Sequence, residues 1–155
     1  MASDLTIEDA YRKWADDLVR YATVLVGPSD AADLVADAFA SVLARGHDSW
    51  VVVQEPRRYL FRTVLNVARM RERGRRRRER REVPQWHPPV DGGLLYDPSI
   101  QRAVNALSVQ QRATIYLAYW EDLRPADVAA ILHISEGAVR RQLARARSSL
   151  REVLS

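Results

Sequence analysis

Five arginines and two glutamates fall within residues 135 to 155. Four of the arginines, Arg140, Arg141, Arg145 and Arg147, flank an apolar line of Val139, Leu143, Ala146 and Leu150. That spacing puts the leucine line on one face of a helix and the cations around the other. Guanidinium forks read base edges bidentately and neutralise phosphates, so the available chemistry is polyanion recognition and not bond making. Glu136, Arg140 and Arg141, near the start of this helix, are the base-edge candidates, with Ser135 beside them, and Arg145 and Arg147 suit phosphates. A second cluster, RMRERGRRRRERRE at 69 to 82, holds nine arginines and three glutamates. Residues 1 to 68 carry a formal −3, 69 to 82 carry +6 and 83 to 155 carry +1, so almost all of the net +4 lies in one short stretch. Such localisation favours a local polyanion contact over general basicity, the alternatives being a basic spacer and a solvated helix face.

Other chemistries have little to work with. The chain has no cysteine, and His47, His87 and His133 share no ligand spacing. With no Gly-rich phosphate loop and no catalytic dyad, neither cofactor, metal, enzymatic activity nor small-molecule substrate is expected. No apolar run approaches the roughly 18 residues of a membrane span, and MASDLTIEDAYRKW has no apolar signal core. A soluble, cytoplasmic protein without membrane insertion is therefore expected.

Helices must position the arginines. Ile7, Ala10, Tyr11, Trp14, Leu18, Tyr21 and Leu25 recur at three- and four-residue steps after a capping Thr6, and Gly27-Pro28 stops them. A second helix presents Leu34, Val35, Ala38, Phe39 and Val42 until Gly46. The stretch GHDSWVVVQE reads as a loop. A third helix starts at Pro56, packs Tyr59, Leu60, Thr63, Val64 and Val67, and runs out into the arginines, where Gly74 is a candidate break. VPQWHPPVDGGLLYDP, residues 83 to 98, has four prolines and two glycines and reads as a linker, whose Trp86, Leu94, Leu95 and Tyr96 are expected to dock on something.

Beyond the linker, Ser108 and Gln111 match a capping box, and the helix they start is expected to turn Ile115, Leu117, Ala118 and Trp120 toward a core. Pro125 opens the short helix PADVAAIL, His133-Ile134 form a turn and Ser135 caps the last helix. Short helix, tight turn and longer basic helix form a helix-turn-helix pattern, with Val128, Ala129, Leu132, Ile134, Val139 and Leu143 as its core.

Both halves resemble the bacterial extracytoplasmic-function sigma factors, a group of the sigma-70 family. DAADLVADAF (30 to 39) is similar to the family's acidic helix signature, and PRRYLFRTVLNVARMRERGRRR to its Pro-x-x-Trp-Leu-x-x-x-x-x-Asn helix with a basic end. Residues 107 to 154 follow the family's fourth-region pattern, with Leu107, Arg112, Leu132, Ile134, Ser135, Gly137, Val139, Arg145, Ala146, Arg147, Leu150 and Arg151 in place. The resemblance implies an all-α protein of two small helical domains: 1–82, a region 2-like domain for polymerase binding, minus-ten recognition and melting; 83–98, the linker; and 99–155, a region 4-like helix-turn-helix domain for the minus-thirty-five element.

It also implies partners and residue roles. Core RNA polymerase and promoter DNA are the expected partners, and the family commonly uses an anti-sigma protein as well. Asp33, Val35 and Asp37 fall at the polymerase-binding helix. Trp50, Gln54, Arg57, Arg58, Arg62, Asn66, Arg69, Arg73, Arg75 and Arg76 fall on the downstream, single-strand side, where Trp50 stands equally as a stacking group for a flipped base or as core. Several positions depart from the pattern: Tyr59 replaces tryptophan, Ala36 glutamine, Met70 a polar residue that reads bases, His133 the turn glycine and Arg124 a capping Ser or Thr. Met70 cannot hydrogen-bond a base edge, so minus-ten specificity is relaxed or carried elsewhere. A stand-alone regulator with a LuxR-like helix-turn-helix is the rival reading; it explains residues 107 to 155 and leaves the first half without a role.

Overall fold

The computed structural model describes residues 4–79 and 98–154, and every regular element among them is helical. The chain divides into two compact units, Met1–Val83 and Pro84–Ser155. Trp86, Leu94, Leu95 and Tyr96, with Arg80, Arg81 and Glu82, lie outside the described residues.

In the first unit, α1 (Ile7–Val26), α2 (Pro28–Ala44) and α4 (Pro56–Glu79) pack on one another, with the one-turn α3 (His47–Val51) between the last two in sequence. Thr6 caps α1, its Oγ1 accepting from the Asp9 N–H at 3.1 Å. Gly27 ends α1 and starts α2 in a single residue at φ 90°, a backbone position that a Cβ would strain. The three helices seal a core around Leu18, Tyr21, Leu34, Phe61, Leu65 and Trp50. Tyr11 is the exception on the α1 stripe: it is half exposed and lies edge-on to Phe39, ring centroids 5.1 Å apart.

Two local expectations are corrected here. The stretch 46 to 55 contains α3, a turn of helix that starts after Gly46 at φ 91° and sinks Trp50 into the core. Gly74 does not break α4, which continues through it to Glu79. A single helical glycine costs about 1 kcal/mol relative to alanine, too little to stop a helix whose first half is anchored by packing.

In the second unit, α5 (Pro98–Asn105), α6 (Val109–Ile115) and α7 (Pro125–Leu132) each pack against α8 (Glu136–Leu154). The capping box at α6 is complete: Gln111 N–H donates to Ser108 Oγ at 3.1 Å, and Ser108 N–H to Gln111 Oε1 at 2.9 Å. After Ile115 the helix widens into a π-helical turn, Tyr116–Trp120, closed by the Glu121 N–H donating to the Tyr116 carbonyl at 3.1 Å. The widened turn shifts the helical register. Tyr116 and Leu117 go into the core, while Trp120, expected inside, is 62% exposed and stacks on Tyr116.

Candidate functional site

The helix-turn-helix is assembled as its caps dictate. Arg124 stands at the N-terminus of α7 without a side-chain cap and pairs instead with Asp127, Nε to Oδ2 3.5 Å. His133 ends α7 in the left-handed region, φ 55° and ψ 45°, with its N–H donating back to the Ala129 carbonyl. The Ile134 N–H reaches the same carbonyl at 3.2 Å, so both donors that leave the helix are satisfied. Ser135 then caps α8, its Oγ accepting from the Ala138 N–H at 3.0 Å. Val128, Ala129, Leu132, Val139 and Leu143 are buried between the helices, and Ile134 is half-buried.

That packing leaves one face of α8 to solvent. Glu136, Arg140, Arg141, Arg145 and Arg147 are all exposed. Arg140 Nη2 donates to Glu136 Oε1 at 2.7 Å, so two of the three base-edge candidates hold each other one turn apart. An exposed i,i+4 pair is worth only a few tenths of a kcal/mol, little enough for an incoming phosphate or base to displace it. Ser135 is exposed, with its hydroxyl engaged as the cap.

Arg112, one of the pattern residues, acts inside the fold. Its Nε donates to the Val104 carbonyl at 3.0 Å and its Nη2 to the Asn105 carbonyl at 3.3 Å, closing the C-terminal end of α5 with a cation.

In the first unit, Asp33 and Asp37 lie exposed one turn apart on α2. Asp37 takes an ion pair from Arg71 of α4. Val35 departs from the role the resemblance implied and keeps the one its spacing implied: it is 2% exposed and belongs to the core of a helix packed on α1 and α4, so it is not a surface contact. Trp50 departs too. It is 1% exposed, its Nε1–H donates to the Leu5 carbonyl at 2.7 Å and its ring meets Tyr59 edge-on, so it has no face for a base. Gln54, four residues on, is exposed.

The arginines of α4 divide by turn. Arg57 bridges to α1 through Asp17, Nη2 to Oδ2 3.3 Å, and lies over the Phe61 ring at 4.8 Å. Arg58 Nε meets Glu55 Oε2 at 3.2 Å. Arg62 covers the Tyr59 ring at 5.6 Å, and Tyr59 Oη accepts from Arg45 Nη1 at 2.6 Å. Arg45 is a cation that sequence reasoning passed over; its place at the end of α2, where a helix dipole attracts positive charge, was the available signal. Further along, Asn66, Met70, Arg73 and Arg77 are exposed at helical spacing and form one stripe, and Arg75 is exposed on the opposite side of the helix.

Arg69 lies one turn before Arg73 on α4. It is half-buried, and its Nη2 is enclosed without a hydrogen-bond partner. Desolvation lowers its pKa from the ordinary guanidinium value, opposed by Tyr21 and assisted by Arg73. Arg76 lies on the helix, with its side chain outside the described residues. Among the described residues no cluster of acidic and histidine side chains could hold a metal ion, and no helix is long and apolar enough to cross a membrane.

Comparison with known proteins gives the same family for both units. A family model described as sigma-70, region 4 matches residues 98–150. The chain is 32% identical to the RNA polymerase sigma-E factor of Streptomyces coelicolor, across 99% of this chain and 89% of the relative. It is 31% identical to the ECF RNA polymerase sigma factor SigM of Mycobacterium tuberculosis, across 81% of this chain and 64% of that protein. Among solved structures it is similar to the sigma factor RpoE in complex with the anti-sigma factor NepR from Bartonella quintana, with a TM-score of 0.72, 28% identity and 95% of each chain covered.

Proposed function

Because the chain belongs to the extracytoplasmic-function group of sigma-70 factors, the promoter-recognition subunits of RNA polymerase, we propose the following division of labour between its two units. Residues 1–82 bind core polymerase through the acidic face of α2, with Asp33 and Asp37 as the contacts, and engage the minus-ten element through α4. Residues 99–155 place α8 in the major groove of the minus-thirty-five element, and residues 83–98 connect the two.

The exposed basic face of α8 carries this reading. Arg140, Arg141, Arg145 and Arg147 stand outward from a helix whose other face is locked to α6 and α7, which is the disposition a groove-reading helix needs. On α4, Asn66 and the cation Arg73 are exposed and can meet a strand, whereas Arg57, Arg58 and Arg62 already hold protein groups and serve the same surface by shaping it.

The protein acts without covalent chemistry of its own; bond formation belongs to the polymerase. An anti-sigma protein is a fitting third partner, because the similar Bartonella factor was solved with one. The activity places the protein in the cytoplasm, at the nucleoid.

Run-off transcription with purified core polymerase on a library of promoter fragments tests the proposal, with Asp33→Arg and Arg140→Glu alongside. Initiation at a defined motif, abolished by Asp33→Arg on all templates and by Arg140→Glu where the upstream element is needed, is the expected result. A protein that binds DNA as a dimer and never programmes core polymerase would instead be a stand-alone regulator.

A further inference from the structure

The face of α8 turned away from DNA carries a polar contact that the recognition reading leaves unused. Thr114 of α6 is fully enclosed, at 0% exposure. Its hydroxyl lies 2.8 Å from the Gln110 carbonyl, one turn back in its own helix, and 2.7 Å from Gln142 Oε1 of α8. One hydroxyl proton is thus shared between a local acceptor and one that is 28 residues away in sequence. The neighbouring buried groups on the two helices, Ala113, Val139, Leu143 and Ala146, are apolar.

Apolar packing is non-directional and tolerates small rotations of a helix about its own axis, whereas a hydrogen bond has a narrow range of distance and angle. Gln142 directly follows Arg140 and Arg141 and precedes Arg145 by less than one turn. Fixing its side chain therefore fixes the azimuth at which all three arginines leave the helix. A recognition constellation needs its groups held to within roughly 0.5 Å and 10–20°.

We propose that the Thr114–Gln142 hydrogen bond is the pin that sets the rotation of α8, which makes Thr114 and Gln142 positioning residues for upstream promoter discrimination. The proposal rests on α8 being the DNA-reading helix. Thr114 touches no DNA in this scheme. It acts through Gln142 on the arginines, and its loss lowers the difference between right and wrong sequences more than it lowers overall binding, because phosphate contacts tolerate a small rotation and bidentate base contacts do not.

The test uses full-length protein with core polymerase and two templates: a promoter selected from the fragment library, and the same promoter with its upstream element scrambled. The readout is the ratio of run-off transcripts. Thr114→Val keeps the side-chain shape and removes the donor; the ratio is expected to fall roughly threefold to tenfold, the range of one net hydrogen bond. Thr114→Ser is expected to restore it. Gln142→Leu should lower the ratio as Thr114→Val does, and the double variant should be no worse than either single one.

A merely structural role would lower both transcripts together and leave the ratio unchanged, and that result in Thr114→Val overturns the pin, as does a serine variant as poor as valine. If Thr114→Val does not fold by circular dichroism, Gln142→Leu, at a half-exposed position, decides by the same ratio. Arg140→Glu in the same assay separates the premise from the proposal. A ratio left intact by Arg140→Glu overturns α8 as the reader, whereas a ratio collapsed by Arg140→Glu but kept by Thr114→Val and Gln142→Leu overturns the pin alone.

Discussion

Trp50→Phe distinguishes two roles that one residue could have played. In the structure the indole is enclosed, and its N–H donates to the Leu5 carbonyl at 2.7 Å, tying the segment before α1 to α3. Phenylalanine keeps an aromatic ring but removes that bond, worth about 1 kcal/mol, and leaves space where the second ring was, worth about another 1 kcal/mol at ordinary cavity costs. The loss of about 2 kcal/mol falls on a unit of fewer than a hundred residues, where each 1 kcal/mol moves the midpoint by roughly 4–8 °C. The first unit should therefore melt roughly 8–16 °C lower. Differential scanning calorimetry on the whole protein measures the shift, and a permanganate footprint of the melted promoter strand at a temperature well below both midpoints measures opening. Opening per folded molecule is expected to match the wild type. An unchanged midpoint together with lost opening would refute the core assignment and return Trp50 to the base-stacking role.

Two further outcomes follow from the helix-turn-helix geometry. His133 occupies the left-handed region at φ 55°, so His133→Val, a β-branched residue with no ease there, should destabilise the second unit by about 1–2 kcal/mol, read as a lower urea midpoint. Arg145 stands exposed on α8 and is proposed as a phosphate contact; Arg145→Ala should weaken holoenzyme binding to different promoters about equally and lower the slope of log affinity against log salt by about 1, measured by titration at several salt concentrations.

Much of this protein could be read along the chain because its signals are local. Thr6, Ser108 and Ser135 cap helices through bonds spanning three residues, and Pro125 and His133 bracket a short helix whose bounds follow from backbone sterics alone. The 3.6-residue period of Val139, Leu143 and Ala146 put the cations of α8 outward before any packing was known. The acidic helix and the arginine-ended helix carried the family resemblance in the same way, as residue types at fixed spacing.

What the sequence could not decide depended on groups distant along the chain. Trp50 is core and not a stacking platform because Leu5, 45 residues earlier, supplies its acceptor and Tyr59 its neighbour. Spacing set Val35 on the apolar face of α2 while the family resemblance set it among the polymerase contacts, and only the packing of α1 and α4 on α2 decided for the core. Arg69 and Arg73 lie one turn apart on the same side of α4, yet Arg69 is half-buried and Arg73 exposed, a difference that the spacing within the run of arginines does not show. Trp120 was turned out by a π-helical widening that leaves no mark in composition, and Thr114 and Gln142 met only when α6 packed on α8. The sequence by itself determined the longer helices, their caps and the outward cations of α8, since those rest on forces acting within a turn or two. The tertiary structure decided which of those outward groups were already bound, since that rests on contacts between segments that only packing brings together.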